Sequence, residues 1–308
     1  MEATWRWILV TAFAPIVWGS TYVVTHTWLP ADAPLWGATL RALPAGLVLL
    51  LIARQLPRGS WWWRSAVLGV LTVGAFFVLL YIAATTLPSG VASSIMAAAP
   101  IAMTLMAWAL VSERPSIRAL VGSVMGIVGV ALIVSMAAAA VNLWGVAASV
   151  TAMLMSSFGF VLTKRWRSDA PLIASTAWQV ASAGIFLVVV ALLVEGAPPA
   201  LDGPAVAGFA YVSLIATAVA YLAWFAGLKR LPASTVGIIG LLNPVSGVTL
   251  GVLVSGERLT LPQALGIALV IAGIAVATVV TGRRSGRSGG RSRAAAGAEV
   301  AIEARRAA

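Results

Sequence analysis

Few residues of this 308-residue chain are equipped for chemistry. Cysteine is absent and His26 is the one histidine. A thiolate nucleophile and a cysteine-held zinc are therefore excluded, and a lone histidine cannot build a histidine-rich metal cluster. Hydrolysis inside lipid would need a nucleophile with its base, a carboxylate pair or a metal. None of Asp32, Glu113, Asp169, Glu195, Asp202 and Glu257 lies deep within an apolar segment. What remains suits binding better than bond-making, so no catalytic residue, cofactor or resident metal is expected. The leading candidate is Arg41, about eight residues into the apolar stretch 33–53. A charge at that depth costs at least ~2.5 kcal/mol on insertion scales. Either it faces a wet cavity, where it would attract an anionic group such as a carboxylate, or it snorkels outward and pairs with Asp32 or a carbonyl.

Other polar and aromatic residues also fall inside apolar segments. Trp18, Ser20, Thr21 and Tyr22 flank Gly19 in the first segment. Tyr81, Trp178, Gln179, Tyr221 and Asn243 are further candidates for contact with a bound solute. A buried amide such as Gln179 is costly against lipid and is expected to face protein or water. Pro100 and Pro244 fall mid-segment, where each removes a backbone donor and frees a carbonyl, that of Met96 or Gly240. They are candidate hinges, although a static kink is equally compatible with packing. Glu113–Arg114 and Glu257–Arg258 sit at segment ends, suited to gating, capping or loop pairing.

The elements that must position these residues follow from composition. Hydrophobic residues make up 61% of the chain and charged residues 9%, against about 25% charged in a soluble domain. There are too few charges to coat a globule, so the chain must face lipid. Ten apolar segments appear, at about 5–25, 33–53, 64–86, 90–111, 117–136, 142–163, 171–194, 204–228, 233–255 and 261–281. Each approaches the ~20 residues a helix needs to cross the hydrocarbon core. In lipid the backbone must satisfy its own hydrogen bonds, which selects helices; the ~10-residue alternating segments of a barrel are missing. The first segment runs past signal-peptide length and reads as a span.

Connections set the orientation. With the N-terminus inside, 18 of the 20 basic residues are cytoplasmic: Arg6, Arg54, Arg58, Arg64, Arg114, Arg118, Lys164, Arg165, Arg167, Lys229, Arg230 and seven arginines of the tail. Only Arg258 lies outside, and Arg41 lies within a span. Excess Lys and Arg on cytoplasmic loops is the expected bias, and it survives every crossing only with ten spans and both termini inside. The net charge of +11 is thus orientation and tail charge; no nucleic-acid partner is expected. Residues 282–308, rich in Gly, Ser, Arg and Ala, are expected to be a disordered cytoplasmic tail.

The chain also matches itself at a shift of 144 residues. Leu87–Pro88 meets Leu231–Pro232, Pro100 meets Pro244 and Glu113–Arg114 meets Glu257–Arg258. Gly122 and Gly129 meet Gly266 and Gly273. Chance matches of Ala, Val and Leu are frequent in apolar helices, but these classes are scarce and in register. The halves are 1–136 and 137–281. Five helices per half is an odd number, so the second half enters the membrane from the opposite side. That accounts for Arg258 as the repeat-mate of Arg114. Inverted repeats of this kind serve alternating access.

With Trp18-Gly19-Ser20-Thr21-Tyr22, Arg41 and the duplicated Leu-Pro, mid-helix Pro, Glu-Arg and Gly-to-Gly series, the sequence resembles the EamA-like branch of the drug/metabolite transporter superfamily. The resemblance covers residues 5 to about 281. It implies ten helices around a central cavity and movement of small metabolites, amino acids or drugs across a bacterial inner membrane, by export or exchange. The second half departs from the pattern: Phe158–Gly159 only loosely echoes Trp18–Gly19, and no arginine in 171–194 matches Arg41. A passive channel or lipid flippase is the alternative function, and a membrane-embedded enzyme is remote. No acidic residue in the first span supplies an obvious proton carrier, and no nucleotide-binding motif is present. Substrate, direction and energy coupling stay open, as do monomer and homodimer.

Overall fold

A computed structural model describes residues 2–28, 33–87, 95–134, 142–255 and 259–278, and among these every regular element is helical. The helices are α1 (Glu2–Trp28), α2 (Pro34–Ala53), α3 (Trp61–Gly69), α4 (Ala75–Thr86), α5 (Ala99–Val111), α6 (Ile117–Val134) and α7 (Leu143–Arg165). They continue as α8 (Leu172–Val194), α9 (Gly203–Ser213), α10 (Ala220–Arg230), α11 (Ala233–Gly240), α12 (Leu242–Ser255) and α13 (Leu261–Thr278). Short π-helical turns, Val70–Gly74 and Leu214–Val219, weld α3 to α4 and α9 to α10. Glu257, Arg258 and the tail 282–308 lie outside the described residues.

Eight helical runs are long and apolar enough to cross a membrane: Pro34–Ala53, Trp61–Ala83, Ile117–Val134, Leu143–Arg165, Leu172–Val194, Gly203–Arg230, Ala233–Val254 and Leu261–Thr278. Two of the ten expected segments differ in extent from the helices found. The stretch 90–111 is not one uninterrupted helix: α5 begins at Ala99 and has 13 residues. The first segment is the 27-residue α1, broader than expected. Apolar side chains line the outer surface, with Leu143 and Leu193 each 81% exposed. In water such a surface would be unfavourable; in a bilayer it is the solvent-facing coat.

The break before α5 changes the reading of the prolines. Pro100 occupies the first turn of α5, after a turn at Ala97–Ala98, and its missing N–H falls where a helix leaves donors unpaired anyway. Pro244 is the third residue of α12, just after the turn at Leu241 that separates it from α11. Neither kinks a continuous helix. Each starts a half-helix, and Ala97 and Leu241 are themselves 144 residues apart. The prolines that do lie inside helices are Pro15 in α1 and Pro44 in α2.

Helices from the two halves pack chiefly on each other: α2 on α8, α6 on α13, α1 on α10 and α12, α7 on α4 and α5. The α6–α13 contact brings two backbones together. A β-carbon on Gly122 would come 2.5 Å from the Gly273 carbonyl oxygen, and one on Gly273 2.7 Å from that of Gly122. Gly129 and Gly266 stand in the same reciprocal relation. Backbones this close exclude any side chain at those four positions, the small-residue packing that stabilises helix pairs in lipid. Gly122 meets Gly273 while Gly129 meets Gly266, so the two helices run antiparallel and a pseudo-two-fold axis passes between them. The α2–α8 pair obeys the same symmetry. Gly46 abuts Ala181, and Gly184 abuts Leu43, each with 2.5 Å between a β-carbon and the partner's Cα.

The ends of that pair are latched. Both carboxylate oxygens of Glu195 accept amides at the start of α2, from Leu35 at 2.8 Å and Trp36 at 2.9 Å. These are unpaired first-turn donors, and an anion there also meets the positive end of the helix dipole. The Trp36 indole donates to the Gly196 carbonyl (3.0 Å), and at the other end the Trp178 indole donates to that of Gln55 (2.7 Å).

Candidate functional site

The two π-turns build the centre. Val70 and Leu214 open them, and these positions are 144 residues apart, so the irregularity is duplicated with the scaffold. A π-turn inserts a residue into the helix and turns carbonyls away from the regular ladder, a feature concentrated at functional sites. In the second, Thr217 Oγ1 donates five residues back to the Val212 carbonyl (2.8 Å). The Ala216 carbonyl accepts from two side chains: the Trp18 indole at 3.0 Å and Arg41 Nη2 at 3.2 Å. In the first, the carbonyl of Thr72, the repeat-mate of Ala216, accepts from the Tyr221 hydroxyl at 3.2 Å.

Arg41 reaches this site from α2. Its Nε donates to Thr217 Oγ1 at 2.8 Å, and its guanidinium lies 5.0 Å from the Phe77 ring centre. Phe77 and Tyr221 are also 144 residues apart. The charge therefore sits on a carbonyl, a hydroxyl and a π face inside the bundle. The packing register of α2 on α8 also identifies its counterpart. If Gly46 maps onto Gly184 and Leu43 onto Ala181, then Arg41 maps onto Gln179. Gln179 is 2% exposed, its Nε2 donates to the Ser175 carbonyl (3.2 Å) and its Oε1 accepts from Thr163 (3.3 Å). One half presents a cation where the other presents a neutral amide.

Aromatic rings enclose the centre. Trp18 lies 5.4 Å from Tyr221 and 5.2 Å from Trp224, ring centre to ring centre. Phe160 is 5.5 Å from Trp224, and Phe225 is 5.7 Å from Tyr221. Two buried polar atoms here have no partner among the described residues: Trp224 Nε1, a donor, and Asn243 Oδ1, an acceptor. Unpaired buried groups are costly, so a polar partner brought to either atom would be stabilising. Gly19 brings α1 against this region, since a β-carbon there would be 2.7 Å from the Asn243 carbonyl.

Other candidates are placed differently. The Ser20 hydroxyl donates to the Val17 carbonyl (2.7 Å) and meets the Tyr211 hydroxyl at 2.6 Å. Thr21 bonds back to the Trp18 carbonyl. Tyr22 lies in α1, but its side chain is outside the described set. Trp178 is tied to the α2–α3 connection and Trp61, not to the Arg41 group. Tyr81 packs near Leu35, Trp36 and Ala191. Glu113 pairs with Lys164 and accepts the Ala233 amide at 2.8 Å, capping α11, whereas Arg114 is exposed. Lys164 also donates to the Leu231 carbonyl at 2.6 Å. Glu113→Gln should keep the cap and lose the ion pair, lowering stability by about 1–2 kcal/mol, while Glu113→Ala should cost about 2–4 kcal/mol. Thermal unfolding of the purified variants checks that order.

Trp224, Phe77, Thr72, Ala216 and Thr217 escaped the sequence reading. Carrying the 144-residue register upstream of Leu87 would have found the pairs Thr72–Ala216 and Phe77–Tyr221. A cavity of about 460 Å³ opens elsewhere, between the end of α7, the start of α8 and the end of α10. Gln179 and Phe225 form part of its wall, while Arg41, Trp18 and Tyr221 do not.

The EamA-like transporter family model matches residues 5–135 and 143–279, one match per half. Protein PecM of Dickeya dadantii is 35% identical over 266 residues, covering 86% of this chain and 89% of PecM. The uncharacterised inner membrane transporter YedA of Escherichia coli is 25% identical over 272 residues, covering 86% and 88%. A crystal structure of a protein at 19% identity aligns with a TM-score of 0.79 over 90% of this chain and 98% of its own, which speaks to the fold. With both halves matched in tandem, this multi-span membrane chain belongs to the EamA-like transporter family.

Proposed function

We propose that this protein is a secondary transporter that moves a small organic solute across a bacterial inner membrane by alternating access. In this reading α1 and the broken α5 segment join the eight long runs, giving ten spans. They form two inverted five-helix repeats, 1–136 and 137–281, with both termini and the basic tail 282–308 in the cytoplasm. Positive charge on alternate connections and the antiparallel pairing of equivalent helices support it. The inner-membrane transporter name of one relative supports the location.

The observation that carries the reading is the Arg41 group. A cation held on a π-turn carbonyl and a threonine hydroxyl, beside an unpaired indole N–H and an unpaired amide oxygen, is a binding centre for a solute with a carboxylate and an acceptor or donor elsewhere. Trp18, Tyr221 and Trp224 would enclose its apolar part, and Asn243 would take a donor. The duplicated breaks at Ala97–Ala98 and Leu241 would absorb the rocking between states, with Pro100 and Pro244 fixing where each half-helix starts. Export or exchange suits such a centre.

The test is flux of a panel of small carboxylates, amino acids and neutral solutes in proteoliposomes, with and without an imposed pH gradient. Saturable flux of at least one carboxylate, absent from protein-free vesicles, is expected. Flux that rises linearly without saturation would indicate a channel, and no flux of any solute would sink the reading.

A further inference from the structure

The cavity between α7, α8 and α10 has a composition that the Arg41 centre does not explain. Its volume, about 460 Å³, falls in the usual range for small-molecule sites. Two of its lining cations, Arg167 and Lys229, are exposed, and Asp169 is the one carboxylate among the lining residues. The third, Lys164, is already paired to Glu113. The wall thus has a surplus of positive charge within a mostly apolar bundle. Trp61, Trp166 and Phe225 supply its flat apolar faces. Cations beside aromatic planes fit a solute with an anionic head and a ring.

The cavity is also aligned with the Arg41 centre. Phe225, on its wall, contacts Tyr221, and Tyr221 contacts Trp18, which shares the Ala216 carbonyl with Arg41. Tyr221, Trp224 and Phe225 are each 3% exposed, so these rings close the direct way between the two places. Gln179, the two-fold counterpart of Arg41, sits on the cavity side.

We propose that this cavity is a vestibule that binds a small aromatic carboxylate, and that Phe225 and Tyr221 form the barrier between it and the Arg41 centre. The proposal rests on the transport reading only for the purpose of the vestibule; the binding itself is independent of it. Arg167 and Lys229 select the anionic head, and Trp61 and Trp166 take the ring.

Equilibrium binding to the full chain in phosphatidylcholine nanodiscs tests it, with benzoate, benzylamine and benzyl alcohol as probes. Benzoate should bind saturably and about tenfold more tightly than benzylamine. Arg167→Gln and Lys229→Gln should each weaken benzoate about fivefold and leave benzyl alcohol unchanged. Benzoate should quench tryptophan fluorescence, and Trp166→Phe should remove much of that signal. Equal affinity for benzoate and benzylamine, or no effect of either charge removal, overturns the proposal. So does loss of benzoate binding when phosphatidylglycerol is added, which would make the cavity a lipid headgroup site. Anion-selective binding without flux in proteoliposomes sinks the transport reading alone; flux without such binding sinks the vestibule alone.

Discussion

Arg41→Ala should lower carboxylate flux about a hundredfold at normal membrane abundance, the ~3 kcal/mol scale of truncating one partner of a buried charge pair. Two losses act together. In the proposed binding mode the carboxylate would lose its cation, and the Ala216 carbonyl and Thr217 hydroxyl lose a donor each. Arg41→Lys separates the causes. An ammonium keeps the charge but cannot reproduce the planar fork that bonds Thr217 and Ala216 while lying over Phe77. Flux by the lysine variant should fall about tenfold, between the other two. Initial rates in proteoliposomes, normalised to protein recovered in the membrane, provide the measurement. Wild-type rates for both variants would remove Arg41 from the binding centre and leave it a structural cation.

The second large effect is on stability. Gly129→Val should destabilise by about 3 kcal/mol or more, because a β-carbon there already lies 2.7 Å from the Gly266 carbonyl and 2.8 Å from Val270 Cγ2. The neighbour is backbone on a helix held along its length, so it cannot step aside. Gly273→Val should behave alike, being the two-fold counterpart. Gly37→Ala is the control, since nothing lies within 4 Å of a β-carbon there, and it should unfold at the wild-type temperature. Thermal unfolding followed by size-exclusion chromatography in detergent distinguishes these outcomes. A Gly129→Val protein as stable as wild type would mean that α6 and α13 are not in backbone contact.

Much of the scaffold was legible because the forces that build it are local or compositional. Long apolar runs predict helices in lipid without reference to neighbours. The 144-residue register predicted duplication from scarce residue types, and the reciprocal contacts of Gly122 with Gly273 and Gly129 with Gly266 give it geometric form. The helix ends were less legible. A proline within an apolar run reads as a kink, yet whether it kinks a helix or begins a new one depends on what the preceding turn packs against. The same run of residues fits either description, so Pro100 and Pro244 could be located but not assigned.

The central site depended on relations the sequence does not carry. Arg41 stood out alone because charge within a span is costly wherever it points. It meets the Ala216 carbonyl and the Thr217 hydroxyl of a π-turn and the Phe77 ring, and neither a carbonyl nor the turn that exposes it leaves a mark in residue identity. The sequence also made Arg41 seem unmatched, because α2 and α8 are offset by 138 residues at their contact, not 144. Only the contacts of Gly46 with Ala181 and of Gly184 with Leu43 show that Gln179 is its counterpart. The sequence by itself determined a lipid-embedded, duplicated helical chain with one cation inside an apolar span. Tertiary structure decided what surrounds that cation, because each helix reaches its neighbours through packing offsets that no single segment records.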